Sequence, residues 1–333
     1  MGKVAVFGSG SWGTAFSLVL ADAGNDVVMW SRREELSQAI NTTRENGDYL
    51  PGIAIPEAIT ATHDPEEACA DASIVVLAVP SQALRANLEH WSEHIPPAAV
   101  VMSLMKGVEV GTAMRMSEVI KDVTGIGDER VAVLSGPNLS HEIAARQPAA
   151  SVIACADESV AEMLQRRCHS NVFRPYTNTD VVGCELGGAT KNVIALAVGM
   201  SVGLGFGDNA AATVITRGLA ETARLGAALG ADPYTFSGLA GLGDLVATCS
   251  SPLSRNRTFG EKLGTGMSVE EVVASSRQVA EGVKSCGSIR DLAARNGVEL
   301  PIVEEVAALV RGETTPPEMV AALISRAAKH ERR

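Results

Sequence analysis

Lys3-Val4-Ala5-Val6-Phe7-Gly8-Ser9-Gly10-Ser11-Trp12-Gly13-Thr14-Ala15 decides the fold of this 333-residue chain. Five residues of strand character run into GxGxxG at Gly8, Gly10 and Gly13, and a helical pattern occupies residues 12–23. In such a unit the first glycine makes the tight turn and the second lets the backbone approach a pyrophosphate. The third lets helix and strand touch closely. Free N–H groups at the helix start then meet the phosphate charge. Alone, GxGxxG is weak evidence. Directly after one strand, with a second apolar run at residues 26–30 behind the helix, it predicts dinucleotide binding.

Outward from this unit, apolar runs at residues 74–79, 100–104, 131–134 and 151–154 alternate with helical stretches such as 65–71. Val, Ile and Leu without polar alternation suit strands covered on both faces, hence a parallel sheet. Alternating strands and helices give an α/β fold, an N-terminal Rossmann-type, doubly wound and mostly parallel sheet. After about Asp180 the pattern turns to Ala- and Leu-rich helical spacing, at residues 186–201, 208–229, 269–274, 286–296 and 302–310. So long a chain exceeds one comfortable core. We expect a dinucleotide-binding domain over 1–182 and an all-helical substrate and catalytic domain over 183–333.

Composition narrows the partners. With 28 Lys and Arg against 39 Asp and Glu, the net charge of −11 argues against nucleic acid and against an anionic membrane surface. A phosphorylated ligand must then be held by a few focused cations. The six cysteines (Cys69, Cys155, Cys168, Cys184, Cys249 and Cys286) are scattered and read as buried thiols in a reducing compartment, the cytoplasm. The longest uncharged apolar stretch, between Lys191 and Asp208, falls short of the ~20 residues that span a bilayer. Its Gly199–Gly203 GxxxG reads as close packing of a buried helix. His90 and His94, with Glu89 and Glu93, have nothing to complete a coordination sphere, so no metal is expected.

The strand ends carry the chemistry, because open α/β sheets bind ligands beyond their carboxyl ends. The second strand runs into Met29-Trp30-Ser31-Arg32-Arg33, without a carboxylate until Glu34. Arg32 and Arg33 suit a 2′-phosphate, which favours NADPH over NADH. Lys106 follows the strand at 100–104, and Gly136 follows the one at 131–134, where it allows a close approach. In the helical half, Lys191 and Asn192 stand on an otherwise apolar helix, where a lysine needs a purpose or a charge partner. Asp244 is flanked by glycines in Ala240-Gly241-Leu242-Gly243-Asp244-Leu245. Ser254-Arg255-Asn256 gathers hydroxyl, guanidinium and amide donors suited to a phosphate monoester.

These motifs, in this order, resemble the bacterial NAD(P)-dependent glycerol-3-phosphate dehydrogenases along essentially the whole chain. The likeness rests on GSGSWGTA at 8–15, MKG at 105–107, SGPN at 135–138, GGATKNVIA at 187–195, AGLGDL at 240–245 and SRNRTFG at 254–260. It implies reduction of dihydroxyacetone phosphate, supplying glycerol 3-phosphate for phospholipid synthesis. By the same resemblance Lys191 is the general acid/base, Lys106 touches substrate and cofactor, and Asp244 completes the cluster, with Asn192 steadying charge on oxygen. Substrate would also meet Gly136, Asn138, Ser254, Arg255 and Asn256. The cofactor would meet Gly8, Gly10, Ser11, Trp12, Gly13, Arg32, Arg33, Lys106, Ser140, Arg255, Val279 and Glu281. Burial and a second ammonium would lower the Lys191 pKa while Asp244 raises it, and sequence leaves that contest open.

A related two-domain hydroxyacid or sugar-acid dehydrogenase is an alternative, though a carboxylate substrate has no need of Ser254-Arg255-Asn256. A non-catalytic NADPH sensor is another, and it would have no need of Lys191 and Asp244. The apolar helical half suggests a homodimer.

Overall fold

A computed structural model describes residues 2–275 and 280–326. Val279, one of the expected cofactor contacts, lies outside the described residues. Within them stand ten strands: β1 (Lys3–Phe7), β2 (Val27–Trp30), β3 (Glu45–Asn46), β4 (Leu50–Ala54), β5 (Ile59–Thr62), β6 (Ala72–Leu77), β7 (Val100–Ser103), β8 (Val131–Ser135), β9 (Ala149–Cys155) and β10 (Phe173–Asn178). Eight form one sheet in the order β10-β9-β8-β7-β6-β1-β2-β5, while β3 and β4 make a separate antiparallel hairpin. Neighbours are parallel except β8 and β9, so the last two strands run against the other six. The chain passes from β2 on one side of β1 to β6 on the other. That reversal opens the crevice in which doubly wound sheets hold their ligands.

The sheet is covered on both faces. Val4 and Val6 join one buried cluster with Phe16, Leu20 and Ile40, while Ala5 and Phe7 join another with Val75, Leu77 and Trp91. An unbroken apolar run is what such two-sided burial requires. Trp91 anchors the second cluster, its ring centroid 4.5 Å from Phe7 and 4.7 Å from Trp30.

Past Asn178 the described elements are all helical. Asp180 caps the helix Val181–Gly203, its Oδ1 accepting from the Gly183 amide at 2.8 Å. The helix thus starts earlier than its apolar periodicity indicates, and the expected division at 182/183 falls in its first turn. By length and composition it could cross a bilayer, but 89% of its most apolar window is buried inside the protein. Its closest companion is the helix Arg255–Gly264. A Cβ on Gly199 would lie 2.0 Å from Arg257 O, and one on Gly260 would lie 2.1 Å from Leu196 O. Gly203 and Gly264 meet in the same way, a Cβ on the first falling 2.9 Å from the second's Cα. Two GxxxG pairs therefore let the backbones touch.

Glu185, on the first turns of Val181–Gly203, fastens that helix to the sheet-bearing half. Its buried carboxylate accepts from Arg115 Nη1 at 2.6 Å, Ser117 N at 2.7 Å and Ser117 Oγ at 2.6 Å. Burial pushes the carboxyl up, and the Arg115 charge opposes that rise.

Candidate active site

The glycine loop behaves as its spacing requires. Gly8 adopts φ +125°, and a Cβ there would meet Ala78 O at 2.4 Å. A Cβ on Gly13 would lie 1.8 Å from Gly8 O, so helix and loop are in backbone contact. By contrast, a Cβ on Gly10 meets nothing within 4 Å, which leaves its face open to a ligand. The helix Ser11–Asp22 starts there without a side-chain cap, and its first N–H groups are available to a phosphate. The Trp12 indole Nε1 is buried with no partner among the described residues. These features fit a dinucleotide. Arg32 and Arg33 follow β2, both exposed, and Arg33 pairs with Asp48 rather than with any member of the lysine cluster described next. Ser140 opens the short helix Ser140–Ala144 beyond β8.

One carboxylate organises the chemistry. Asp244 is 1% exposed and opens the helix Asp244–Ser250, directly after a π-helical turn over Leu239–Gly243. Its Oδ2 accepts from Lys106 Nζ at 2.7 Å, and its Oδ1 from Lys191 Nζ. Lys106 Nζ also donates to Gly136 O at 2.9 Å. Thr248, one turn beyond Asp244, accepts from Lys191 Nζ at 2.7 Å. Burial pushes the Lys191 ammonium down to about 8; the Asp244 charge opposes the fall and the Lys106 charge adds to it. Desolvation therefore wins the contest that the sequence left open.

Glycines allow this convergence. A Cβ on Gly187 would lie 2.4 Å from Ala240 O, and one on Gly188 would lie 2.8 Å from Ser135 Oγ and 3.2 Å from Lys106 Cγ. The helix carrying Lys191 can thus lie against both the end of β8 and the loop before Asp244. Gly136 holds φ +144°, with its Cβ direction 3.0 Å from Ser151 Cα. Gly107 does similar work after β7, where a Cβ would collide with Ser81 Oγ at 2.5 Å.

Amides continue the cluster. Asn192 Nδ2 donates to Lys106 O at 3.4 Å, and its Oδ1 accepts from Asn256 Nδ2 at 2.9 Å. Asn256 Oδ1 in turn accepts from the Gly282 amide at 3.0 Å, which places the helix Glu281–Arg295 alongside. Ser254 caps the helix Arg255–Gly264, its Oγ accepting from Arg257 N at 3.3 Å, so part of its hydrogen-bonding capacity is structural. Arg255 is exposed at the first position of that helix. Burial pushes the Glu281 carboxyl up, and the charges of Arg255 and Lys106 oppose the shift. Asn138 accepts from Ser151 Oγ at 2.5 Å, while its Nδ2 and the Ser135 Oγ are buried without partners among the described residues.

Sequence reading missed Thr248, Ser135 and Asn46. Thr248 lies four residues after Asp244, a spacing that shares one helix face and could have flagged it. Ser135 immediately precedes Gly136, so the SGPN motif already contained it. Asn46 donates to Ser9 O and Thr14 Oγ1 beside the glycine loop but carries no local signal, since only the fold brings it there.

A glycine loop at the switch point of a mostly parallel sheet, together with two lysines on one buried carboxylate, defines a nicotinamide-dependent dehydrogenase. Residues 3–161 match the N-terminal family model, and residues 180–321 the C-terminal one, of NAD-dependent glycerol-3-phosphate dehydrogenase. The chain belongs to the NAD-dependent glycerol-3-phosphate dehydrogenase family. It is 64% identical to the glycerol-3-phosphate dehydrogenase [NAD(P)+] of Streptomyces coelicolor, over 99% of this chain and 98% of that one. The enzyme of the same name from Thermobifida fusca is also 64% identical, over 100% and 99%. The crystal structure of glycerol-3-phosphate dehydrogenase from Coxiella burnetii superposes with a TM-score of 0.92 at 35% identity, covering 98% of this chain and 99% of that one.

Proposed function

We propose that this chain reduces dihydroxyacetone phosphate to sn-glycerol 3-phosphate, reversibly, with NADPH or NADH, and so supplies glycerol 3-phosphate for phospholipid synthesis in the cytoplasm. The observation that carries the reading is the pair Lys106 and Lys191 on the one buried carboxylate of Asp244, beyond the carboxyl end of β8 and against the helix that begins at Arg255.

Gly8, Gly10, Gly13, Ser11 and Trp12 would hold the dinucleotide, with Ser140, Glu281 and Arg32–Arg33 further along it. When bound, the reduced nicotinamide supplies hydride to the carbonyl carbon. Lys191 supplies the proton: its pKa of about 8 leaves it largely protonated at neutral pH yet willing to release. Lys106, held between Gly136 O and Asp244, sets positive charge beside the carbonyl oxygen. Asp244 orients both ammonium groups, and Thr248 fixes the direction of Lys191. Ser254, Arg255, Asn256 and Asn138 receive the phosphate and the hydroxyl end of the substrate. The orphaned Asn138 Nδ2 and Ser135 Oγ are the donors such a ligand would satisfy.

A homodimer is part of the same reading. An apolar groove of about 1010 Å³ lies along the helices Asp208–Ala228 and Pro301–Val310, away from the lysine cluster, with exposed Phe206 and Ile324 in its lining. Exposed apolar area of this kind marks an interaction face.

The decisive experiment follows loss of reduced-nicotinamide absorbance with dihydroxyacetone phosphate, in parallel with unphosphorylated dihydroxyacetone. Turnover that needs the phosphate, and that Arg255→Ala weakens through KM by roughly 2–4 kcal/mol, supports the assignment. Equal turnover of both ketones overturns it. Light scattering of the purified protein tests the dimer.

A further inference from the structure

The hairpin β3–β4 has no part in the reading above, yet it is tied to the glycine loop at three points. Asn46 is buried and donates through Nδ2 to Ser9 O at 2.9 Å and to Thr14 Oγ1 at 2.8 Å. Ser11 Oγ donates to Tyr49 O at 3.1 Å. Between these anchors lies Asp48, with its Oδ2 2.5 Å from Arg33 Nη2. The two side chains are 55% and 48% exposed, so the pair sits in solvent reach.

Position matters here more than pair strength. The end of the second strand is where dinucleotide enzymes distinguish their cofactors: an acidic side chain binds the ribose 2′-OH, and an arginine accommodates the 2′-phosphate. This chain places Arg32 and Arg33 at that end and then brings a carboxylate to the same spot from a different element. A dianionic phosphate approaching Arg33 must displace Asp48 or lie beside its negative charge.

We propose that Asp48 is a specificity-determining residue, whose carboxylate competes with the 2′-phosphate of NADPH for Arg33 and so narrows the preference for NADPH over NADH. The inference rests on the reading that Arg33 faces the adenosine ribose. Because the hairpin is pinned to the glycine loop, the competitor is held in place instead of being carried by a free surface side chain. An exposed ion pair is weak, so the discrimination it sets is several-fold and not absolute.

The test is calorimetric and needs no turnover: adenosine 2′,5′-bisphosphate, 5′-AMP, NADPH and NADH are titrated into wild type, Asp48→Asn, Arg33→Ala and the double variant. Asp48→Asn should bind the bisphosphate and NADPH about two- to fivefold tighter, with 5′-AMP and NADH unchanged. The gain should shrink with added salt and vanish in the double variant. Unchanged bisphosphate affinity overturns the proposal. So does loss of NADH and 5′-AMP binding, which would make Asp48 the acceptor for the ribose hydroxyl. If Arg33→Ala alone leaves the bisphosphate affinity untouched, the underlying reading of Arg33 is wrong whatever Asp48→Asn does.

Discussion

Lys106 and Lys191 reach the same carboxylate from opposite halves of the fold, one from the end of β7 and the other from the middle of Val181–Gly203. Asp244 gives each ammonium one of its oxygens. Two like charges at a single buried counterion leave the cluster with net positive charge, and on the proposed mechanism that excess is what a developing alkoxide would meet. The second anchors differ: Lys106 Nζ also donates to the Gly136 carbonyl, whereas the buried Lys191 Nζ donates to the Thr248 hydroxyl.

Direction of the reaction should invert the pH dependence. On the proposed mechanism ketone reduction needs protonated Lys191, so kcat/KM should fall as pH rises through about 8. Alcohol oxidation needs the neutral amine and should rise through the same region. Lys191→Ala should remove both limbs and lower kcat roughly 10²–10⁴-fold while cofactor binding persists, as measured by steady-state kinetics with parallel titrations.

Replacing Asp244 with Asn should do more than weaken one contact. Both ammonium groups would be left buried beside a neutral amide, at a cost of roughly 3–5 kcal/mol. The Lys191 pKa should then fall further, moving the ketone-reduction limb to lower pH. Chemical denaturation and the pH–rate profile read the two effects separately. An unmoved limb would show that Asp244 does not set the charge of Lys191.

Glu221 offers a titration outside the site. Its buried carboxylate accepts from the Ile302 amide, at 3.0 Å to one oxygen and 3.1 Å to the other, at the start of Pro301–Val310. Burial pushes it up to about 7 from an ordinary 4.5. Between those values the folded protein holds a proton that the unfolded chain has released. Stability from this group is therefore lost as pH rises from about 4.5 to 7. Glu221→Gln should flatten that part of the melting-temperature profile.

Glycines at the helix crossing should tolerate no side chain. Gly199→Ala places a methyl 2.0 Å from the Arg257 carbonyl, and Gly260→Ala places one 2.1 Å from that of Leu196. Backbone cannot swing aside as a side chain would, so each change should cost roughly 1–3 kcal/mol or more. Gly287→Ala, where a Cβ meets nothing within 4 Å, is the control and should fold normally.

Much of this was legible in the sequence, for physical reasons that differ by element. The glycine loop, β1 and the helix after it declare themselves because every requirement is local: a turn, a close approach, a phosphate-facing helix start. Lys191 stood out as a charge on an apolar helix. The hairpin β3–β4 did not, since Pro51 and Gly52 interrupt it and its order comes from Asn46 bonding to a distant loop. β10 carries Pro175 and lies at a sheet edge, where a missing N–H is tolerated but the strand pattern is spoiled. The helices Asp244–Ser250 and Arg255–Gly264 escaped notice because small and polar residues, chosen for close crossing and chemistry, erase the apolar period.

The backbone contact between Val181–Gly203 and Arg255–Gly264 makes those two helices a ruler. One bears Lys191 and Asn192, and the other bears Ser254 at its cap with Arg255 and Asn256 in its first turn. Asn192 and Asn256 are bonded across the gap. Nothing compressible lies between the graduations, because carbonyl oxygen touches α-carbon where side chains would otherwise give. On the proposed mechanism, this main-chain contact fixes the spacing between the helix that carries the proton donor and the helix whose first turn grips the anion. On that mechanism the spacing would gauge substrate length, and a ketone one carbon longer or shorter should turn over more slowly even where its polar groups suit the site.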